Sequence, residues 1–366
     1  MSETTKLKIT SITPVAIGSG VDFSPYTDYV VDNRQIYFID KKKTVEKIAQ
    51  KGDNYFDQYV YGVANMDNTR STFDLKSFLL NNKIVRNIEE VVSSSCPLIG
   101  NANSKLPIRG AIKSPLQEPY FPGSSIKGAL KTILMYNWLK TNRKADEMIE
   151  KVINDGNFNF LEKEFEFKED DFTKSIIRKN TIQQLTDSRM MPKDRKIVVD
   201  CYRKMPVRIE CIAKNQTTEF QLTLENYKWE DLAEQANDYA FDCLDRELDL
   251  VENNSNLSDY RDNNIDIQDL ANEELGKNNS TTAYLRVGYG RGYYLNSLGI
   301  AIYDYVSQEG KENLYDKFKE FINRQYARKD KYGKKQEIDL EDFPKTRLYI
   351  TNTQEPLGWV KIEKIK

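Results

Sequence analysis

Three short segments combine glycine with serine or arginine, a mixture of residue types that can bind phosphate groups. They are Ile17-Gly18-Ser19-Gly20, Pro122-Gly123-Ser124-Ser125 and Val287-Gly288-Tyr289-Gly290-Arg291-Gly292. Glycine allows positive φ and a close approach of the backbone to a ligand, so that N–H groups can face an anion. Arg286 and Arg291 flank the third segment, and its tyrosines offer rings on which nucleobases can stack. Together the segments favour a function in binding a polyanion.

The second segment leads into a predicted helix that starts near Ser125. Its apolar residues recur at helical spacing, and Ser124 or Ser125 supplies the side-chain oxygen preferred at an N-cap. Lys127 and Lys131 lie one turn apart near the positive end of the helix dipole, where a bound anion would offset their unfavourable placement. The alternative is an ordinary surface helix with solvated lysines. The apolar residues are Ile126, Ala129, Leu130, Ile133, Leu134 and Trp138.

Several kinds of chemistry are excluded by spacing and composition. The order Gly123-Ser-Ser-Ile-Lys-Gly128 does not fit a nucleotide-binding P-loop, in which the lysine follows the second glycine. The chain has no histidine, which removes Ser-His-Asp and Cys-His catalysis and histidine metal sites. Only carboxylates, Lys, Tyr and Cys remain for catalysis. We assign no catalytic residue, no metal site and no cofactor.

The cysteines and the apolar runs indicate a cytoplasmic location. Cys96, Cys201, Cys211 and Cys243 show no CxxC pairing and no disulfide-like density. The N-terminal sequence MSETTKLKIT has no apolar signal core, and no run approaches transmembrane length. We therefore expect a protein of the reducing cytoplasm.

The charge is distributed unevenly along the chain. Residues 230–275 contain 15 Asp and Glu against two Arg, a net charge of −13, whereas the whole chain carries −2. The remainder therefore carries +11, an asymmetry that points to a polyanionic partner. We expect the acidic segment to face away from that partner, toward solvent or a basic protein. A solvated helix and loop would explain the acidic composition equally well.

Helical and strand patterns mix without a regular βαβ rhythm, which favours an α+β fold. Strands are predicted at 6–13, 182–185, 196–199, 207–213, 219–224 and 359–362, a hairpin at 29–39 and helices at 44–50, 73–80 and 229–250. Residues 93–119 are taken as a long basic loop that carries Arg109 and Lys113, and residues 328–335 as a Lys-rich loop. The sequence predicts a ferredoxin-like unit with long insertions.

We expect a core at residues 1–229 with a charged helical insertion at about 144–180. An acidic helix and a partly mobile segment follow at 230–280. Residues 281–366 contain the third glycine segment, a helix and closing strands, which complete the core or form a second small unit.

Several stretches resemble the RAMP superfamily of CRISPR proteins. They are LKITSITPVAIGSG, PYFPGSSIKGALKTIL, RVGYGRG, FPKTR and PLGWVKI, which follow in matching order from residue 6 to about residue 363. Within the superfamily they resemble the Csm subunit that caps the 3′ end of the guide RNA in type III-A effector complexes. That resemblance implies a ferredoxin-like, RNA-recognition-type core with a glycine-rich loop near the C-terminus.

The resemblance also implies a function and partners. It implies a non-catalytic subunit that binds the 3′ part of the crRNA and is needed for crRNA maturation and for assembly of the antiviral complex. Its partners would be the crRNA, the backbone RAMP subunits and, in one hypothesis, a host trimming nuclease recruited by the acidic segment. The alternative is a RAMP endoribonuclease that cleaves repeat RNA with Lys and Tyr chemistry.

The RNA contacts are expected on the glycine segments and their basic neighbours. Relatives commonly carry histidine where this chain has Ala16, and we expect that position to support the loop rather than the chemistry. The expected contacts are Gly18, Ser19, Gly20, Arg109, Lys113, Gly123, Ser124, Ser125, Lys127, Lys131, Arg286, Gly288, Gly290, Arg291 and Gly292.

Overall fold

The computed structural model shows two β-sheets with helices packed against them. It describes residues 2–65, 73–102, 105–115, 117–141, 147, 149–150, 153–154, 177–185, 196–202, 206–225, 227–294, 298–329, 331–344 and 347–365. The predicted helical insertion at 144–180 lies largely outside these residues.

The strands and helices of the described part are numbered here in chain order. The strands are β1 (Ser2–Ser11), β2 (Gly18–Phe23), β3 (Tyr29–Asp32), β4 (Gln35–Ile39), β5 (Val92–Ile99), β6 (Ile108–Ala111), β7 (Ile177–Leu185), β8 (Lys196–Tyr202), β9 (Val207–Ile212), β10 (Thr217–Glu225), β11 (Thr282–Arg286), β12 (Tyr349–Ile350) and β13 (Trp359–Lys364). The α-helices are α1 (Lys41–Lys51), α2 (Asp53–Ala64), α3 (Leu75–Asn81), α4 (Gly123–Thr141), α5 (Trp229–Asp249), α6 (Ser258–Leu275), α7 (Gly299–Val306) and α8 (Glu312–Tyr326). Short 3₁₀ turns lie at Ile88–Val91 and Ser255–Leu257.

The first sheet is antiparallel, with the strand order β11-β13-β1-β10-β7. The chain order β1-α4-β7-β10-α5-β13, with the sheet order β13-β1-β10-β7, is that of a split βαβ, or ferredoxin-like, unit. β11 adds an edge strand beside β13. The predicted α+β ferredoxin-like fold is confirmed, and everything between β1 and α4 is an insertion into it.

Helices α4 and α5 pack together and share the core cluster that includes the inner side chains of this sheet, such as Leu7, Ile9 and Phe220. The predicted apolar stripe of α4 is buried from Ile126 to Leu134. The predicted face of α5 is buried too, because apolar side chains one turn apart fall on one side of a helix. Its members are Leu232, Ala236, Tyr239, Ala240 and Cys243.

The second sheet is mixed, with the order β2-β6-β9-β8-β5-β4-β3 and β12 paired to β8. β6 runs parallel to β9, and β5 runs parallel to β8, so strands from the insertion between β1 and α4 interleave with strands that lie between β7 and β10. The prediction of a loop over residues 93–119 was wrong for β5 and β6. The serines and Pro97 of β5 disguise its pattern, whereas buried Cys96 and Leu98 hold it in the sheet by tertiary packing.

The acidic segment is helical through most of its length. α6 packs on α5 and buries Tyr260, Asn264, Ile267 and Ala271, whose spacing of four, three and four residues defines one face. Partial mobility was expected here, but this stripe is sufficient to dock the helix. The acids of α6 that face outward include Asp259, Asp262 and Asp266.

Candidate nucleic-acid interface

The first glycine segment forms a bulge at the edge of the second sheet. Gly18 lies opposite Ala111 and Asp22 lies opposite Arg109, so four steps along β2 match two steps along β6. The residues between them leave the regular ladder and are exposed. Ser19 Oγ donates to the Gly110 carbonyl at 3.0 Å, which fixes the bulge to β6.

The third glycine segment docks on the residues that precede this bulge. Tyr289 N donates to Ala16 O at 2.6 Å, and Gly288 has φ 77°. A Cβ on Gly288 would overlap the Ala16 carbonyl, so glycine is needed both for its conformation and for the close approach. The two segments, separated by about 270 residues in sequence, therefore form one surface.

Ala16 contributes to this surface through its backbone. Its side chain is buried among the apolar residues of the second sheet, such as Val199 and Ile209. The carbonyl oxygen, which accepts from Tyr289, is the atom that joins the loops. In this chain the position where relatives carry histidine has a structural role that any residue's carbonyl can provide.

Arg109 and Tyr289 join β6 to the third segment. The Arg109 guanidinium lies 5.0 Å from the centre of the Tyr289 ring, and its Nη1 donates to the tyrosine hydroxyl. Arg109 is exposed and Tyr289 is half-buried. Both line a cavity of about 260 Å³ together with Gly18, Gly20 and Asp22. An arginine and an aromatic ring beside exposed backbone can hold a phosphate and stack a base.

Lys113 is directed into the protein. Its Nζ lies 3.0 Å from the fully buried carboxylate of Glu210 and 4.8 Å from the centre of the Phe23 ring. Lys196 lies 3.6 Å from the same carboxylate, which also accepts from Ala111 N at 2.9 Å. The charge of Lys113 is therefore neutralised within the protein, and Glu210 ties β6, β8 and β9 together beneath the cavity.

A second buried ion pair lies on the same face of β9. Arg208 Nε lies 2.6 Å from Asp200 Oδ1, and Arg208 Nη2 donates to Asn101 O at 2.8 Å. Asp200 Oδ2 in turn accepts from Asn101 N at 2.8 Å. Glu210, Arg208 and Asp200 were not predicted from the sequence, because charged residues in a strand do not reveal which partners they meet across a sheet. The alternation of Arg208 and Glu210 with Ile209 and Cys211 is typical of a strand with one solvated face, so nothing in the sequence indicated that this polar face is buried.

The two arginines near the third segment support it. Arg286 is 6% exposed, and its Nε donates to Leu357 O at 2.6 Å. Arg291 is half-buried, its Nε donates to Gly288 O at 3.2 Å, and burial lowers the pKa of its guanidinium. Both side chains thus brace the backbone around Gly288. Gly290 lies against the Leu348 side chain, and Gly292 is exposed.

The start of α4 does not belong to the cavity lining. The helix begins at Gly123, so Ser124 and Ser125 lie in its first turn, and the prediction that one of them is the N-cap was wrong. Pro122 O accepts from Ser125 N at 3.0 Å, because the chain already turns into the helix at that proline. Lys127 is half-exposed and, within the described residues, makes no hydrogen bond or ion pair. Lys131 is also half-exposed and has an interaction partner.

The described part of the chain holds no group of three or more His, Cys, Asp or Glu side chains placed to bind a metal ion. The cysteines are free and buried, and burial raises the pKa of Cys96 and Cys201 to about 12. At neutral pH these thiols are protonated and poor nucleophiles. No helix in the described ranges has the length and apolar character needed to span a membrane.

The ferredoxin-like sheet and the glycine-rich loop that docks on the connection after β1 agree with the family comparison. The RAMP superfamily model matches residues 8–324, so the chain belongs to the RAMP superfamily. The resemblance indicated by the motifs is thereby confirmed.

Two relatives and two solved structures refine this assignment. The chain is 26% identical to "CRISPR system Cms protein Csm5" of Methanocaldococcus jannaschii over 397 aligned residues, which cover 99% of this chain and 90% of the relative. It is 29% identical to the protein of the same description from Streptococcus thermophilus over 149 residues, 38% of this chain and 40% of the relative. Both descriptions agree with the Csm subfamily that the motifs indicate.

The solved structures share the fold at 17% identity. One is a chain of a Csm–crRNA–target RNA ternary complex of a type III-A CRISPR–Cas system, with a TM-score of 0.64 over 99% of this chain and 100% of that chain. The other is Csm5 of T. onnurineus, with a TM-score of 0.51 over 96% of this chain and 99% of that chain.

Proposed function

We propose that this protein is a non-catalytic RNA-binding subunit of a type III-A Csm complex. In this proposal it binds the 3′ part of the crRNA and is needed for crRNA maturation and complex assembly in antiviral defence. Membership of the RAMP superfamily and similarity to proteins described as Csm5 support it. The fold shared with a chain of a Csm–crRNA–target RNA complex supports it further.

The observation that carries the proposal is the surface formed by the first and third glycine segments. It combines an exposed guanidinium, a tyrosine ring and a bulged strand around one cavity. This combination can bind single-stranded nucleic acid, because arginine neutralises phosphates and bases of any sequence stack on aromatic rings. We propose that the RNA contacts centre on Arg109, Gly18–Gly20 and Gly288–Gly292, with Lys113, Arg286 and Arg291 in supporting positions.

We propose the start of α4 as a second contact with the RNA. The residues involved are Gly123, Ser124, Ser125, Lys127 and Lys131. The backbone of the first turn, from Gly123, and the half-exposed Lys127 and Lys131 in the turns that follow suit a phosphate. The acidic helices α5 and α6 would repel RNA, and we propose that they face solvent or a basic partner such as a backbone subunit or a trimming nuclease. Free thiols fit the cytoplasmic location that we propose.

A non-catalytic role agrees with the groups around the cavity. Lys113 is paired with Glu210 and therefore does not offer a free amine for proton transfer. The buried thiols described above are protonated at neutral pH. Incubation of the purified protein with CRISPR repeat RNA, without metal, should leave the RNA intact. A defined single cut would instead support the endoribonuclease alternative.

The proposal is tested by comparing the affinity of the purified protein for the 3′ and 5′ halves of a crRNA. Wild type should prefer the 3′ half, and Arg109→Ala should weaken that binding and lower the slope of log affinity against log salt by about 0.7 per phosphate contact. Arg261→Ala, which removes an arginine from the acidic helix α6, is the matched control and should bind as wild type does. Equal affinities for the two halves, or equal effects of the two substitutions, would contradict the proposal.

A further inference from the structure

The Lys-rich segment that follows α8 is a short hairpin with a defined base. Gln336 N donates to Arg328 O at 2.9 Å, and Lys329 and Lys335 form an antiparallel bridge. We call the described residues 328–329 and 331–336 the basic hairpin. Asn323 of α8 holds the base of the basic hairpin in place. Its Nδ2 donates to Ile338 O at 2.8 Å, and its Oδ1 accepts from Ile338 N at 2.7 Å. These hydrogen bonds fix the position from which the tip of the hairpin extends.

The basic hairpin concentrates positive charge around an exposed ring. Residues 328–335 contain five Lys and Arg against one Asp, a net charge of +4. Tyr332 is 81% exposed, and Lys331 Nζ lies 4.9 Å from the centre of its ring. Lys329 and Lys331 are exposed and make no ion pair within the described part of the chain. A cluster of positive charge of this kind attracts a polyanion.

The base of the basic hairpin adjoins the third glycine segment. Tyr326, at the end of α8, contacts Tyr293 with ring centres 5.6 Å apart, and Tyr293 immediately follows Gly292. Phe343 completes this aromatic cluster, with its ring centre 5.0 Å from that of Tyr293 and 5.4 Å from that of Tyr326. A strand of nucleic acid that leaves the glycine segments can therefore continue onto the hairpin.

We propose that the basic hairpin is a second binding element for single-stranded RNA. A base stacks on Tyr332, and Lys329 and Lys331 bind the flanking phosphates. This inference rests on the proposed function, because it takes RNA as the ligand of the chain. The hairpin pairs a cation with an aromatic ring, as Arg109 and Tyr289 do in the cavity. An acidic protein surface would bind to the lysines alone, and the exposed Tyr332 ring would then contribute nothing to binding.

The ring is tested with Tyr332→Ala and Tyr332→Phe against the labelled 3′ half of the crRNA. Because Phe keeps the stacking face, Tyr332→Phe should bind within about twofold of wild type, whereas Tyr332→Ala should bind about 5- to 150-fold more weakly, whatever the base sequence. Lys329→Ala and Lys331→Ala should each lower the salt slope by about 0.7. The three substituted positions are exposed, so the melting curves of the four variants should match that of wild type.

Arg109→Ala, measured in parallel, separates this inference from the proposed function. Weak binding by Arg109→Ala with unchanged binding by Tyr332→Ala would overturn the hairpin inference and leave the proposed function intact. Weak binding by Tyr332→Ala alone would support the hairpin and contradict the role given to the glycine segments. Unchanged RNA binding by Tyr332→Ala combined with loss of assembly with other Csm subunits would make the hairpin a protein-docking element, which also overturns the inference.

Discussion

Replacing Gly288 with alanine tests whether the third glycine segment depends on its contact with Ala16. The substitution places a methyl group against the Ala16 carbonyl at a backbone φ of 77°. An L-residue in the left-handed region costs about 1–2 kcal/mol. Moving the carbonyl away weakens the 2.6 Å hydrogen bond from Tyr289 N, and loss of such a bond costs about 0.5–1.5 kcal/mol. We expect the free energy of unfolding to fall by about 1.5–3.5 kcal/mol, the sum of the two contributions.

The free energies of unfolding of Gly288→Ala and Gly292→Ala, measured in urea, are compared to isolate the effect of the contact with the Ala16 carbonyl. Gly292 has φ 75°, but a Cβ there would meet nothing within 4 Å, so its substitution carries the conformational cost alone. Gly288→Ala should also weaken RNA binding, because it displaces Tyr289 from Arg109. Equal stability of the two variants, with wild-type RNA affinity for Gly288→Ala, would refute the view that docking on Ala16 builds the site.

Three further substitutions give separate tests. Glu210→Ala leaves the buried Lys196 and the partly buried Lys113 without their carboxylate and should lower the free energy of unfolding by about 3–5 kcal/mol, whereas Glu219→Ala, at an exposed pair, should change it by less than about 1 kcal/mol. A small effect of Glu210→Ala in urea unfolding would contradict the role given to the buried carboxylate. Lys127→Ala should reduce the salt slope of RNA binding by about 0.7 without altering the melting temperature; an unchanged slope would assign α4 a purely structural role. Burial raises the pKa of Asp28, but hydrogen bonds led by that from Lys41 outweigh it and hold the pKa below its ordinary value. Asp28 therefore contributes its full stabilisation above about pH 4, and this contribution is lost as the pH falls through the lowered pKa. The melting temperature of wild type should exceed that of Asp28→Asn by a margin that shrinks below about pH 4. A margin that stays constant with pH would be inconsistent with this pKa shift.

Local patterns in the sequence were sufficient for α1, α3, α4 and α5 and for the strands β1, β7, β10 and β13 of the ferredoxin-like unit, but not for α2 or α6. The apolar spacing of α4 and α5 follows the helical period, and the turn between β3 and β4 falls at Asn33-Arg34, where both residues have positive φ. β5 and β6 were missed because their pairing partners come from the distant residues 196–212 and 18–39. Such pairing is decided by tertiary packing rather than by local preference.

The composition of the site was also predictable, but its geometry was not. Glycine and arginine content singled out both segments of the surface, yet nothing near Gly288 in sequence indicates that it meets Ala16. Lys113 and Arg286 are basic residues close to glycine, and composition alone cannot distinguish them from Arg109. Their burial against Glu210 and Leu357 depends on strands that are distant in the chain.

Cross-linking within a reconstituted Csm complex tests the central claim most directly. A crRNA with one photoreactive uridine near its 3′ end is compared with a crRNA that carries the same group in its 5′ part, and the cross-linked peptides are identified by mass spectrometry. We predict that the 3′ label reacts with peptides of this chain that contain Arg109 or Tyr289, and that the 5′ label does not react with this chain. Cross-links from the 5′ label alone, or a 3′ label that reacts only with other subunits, would contradict the account.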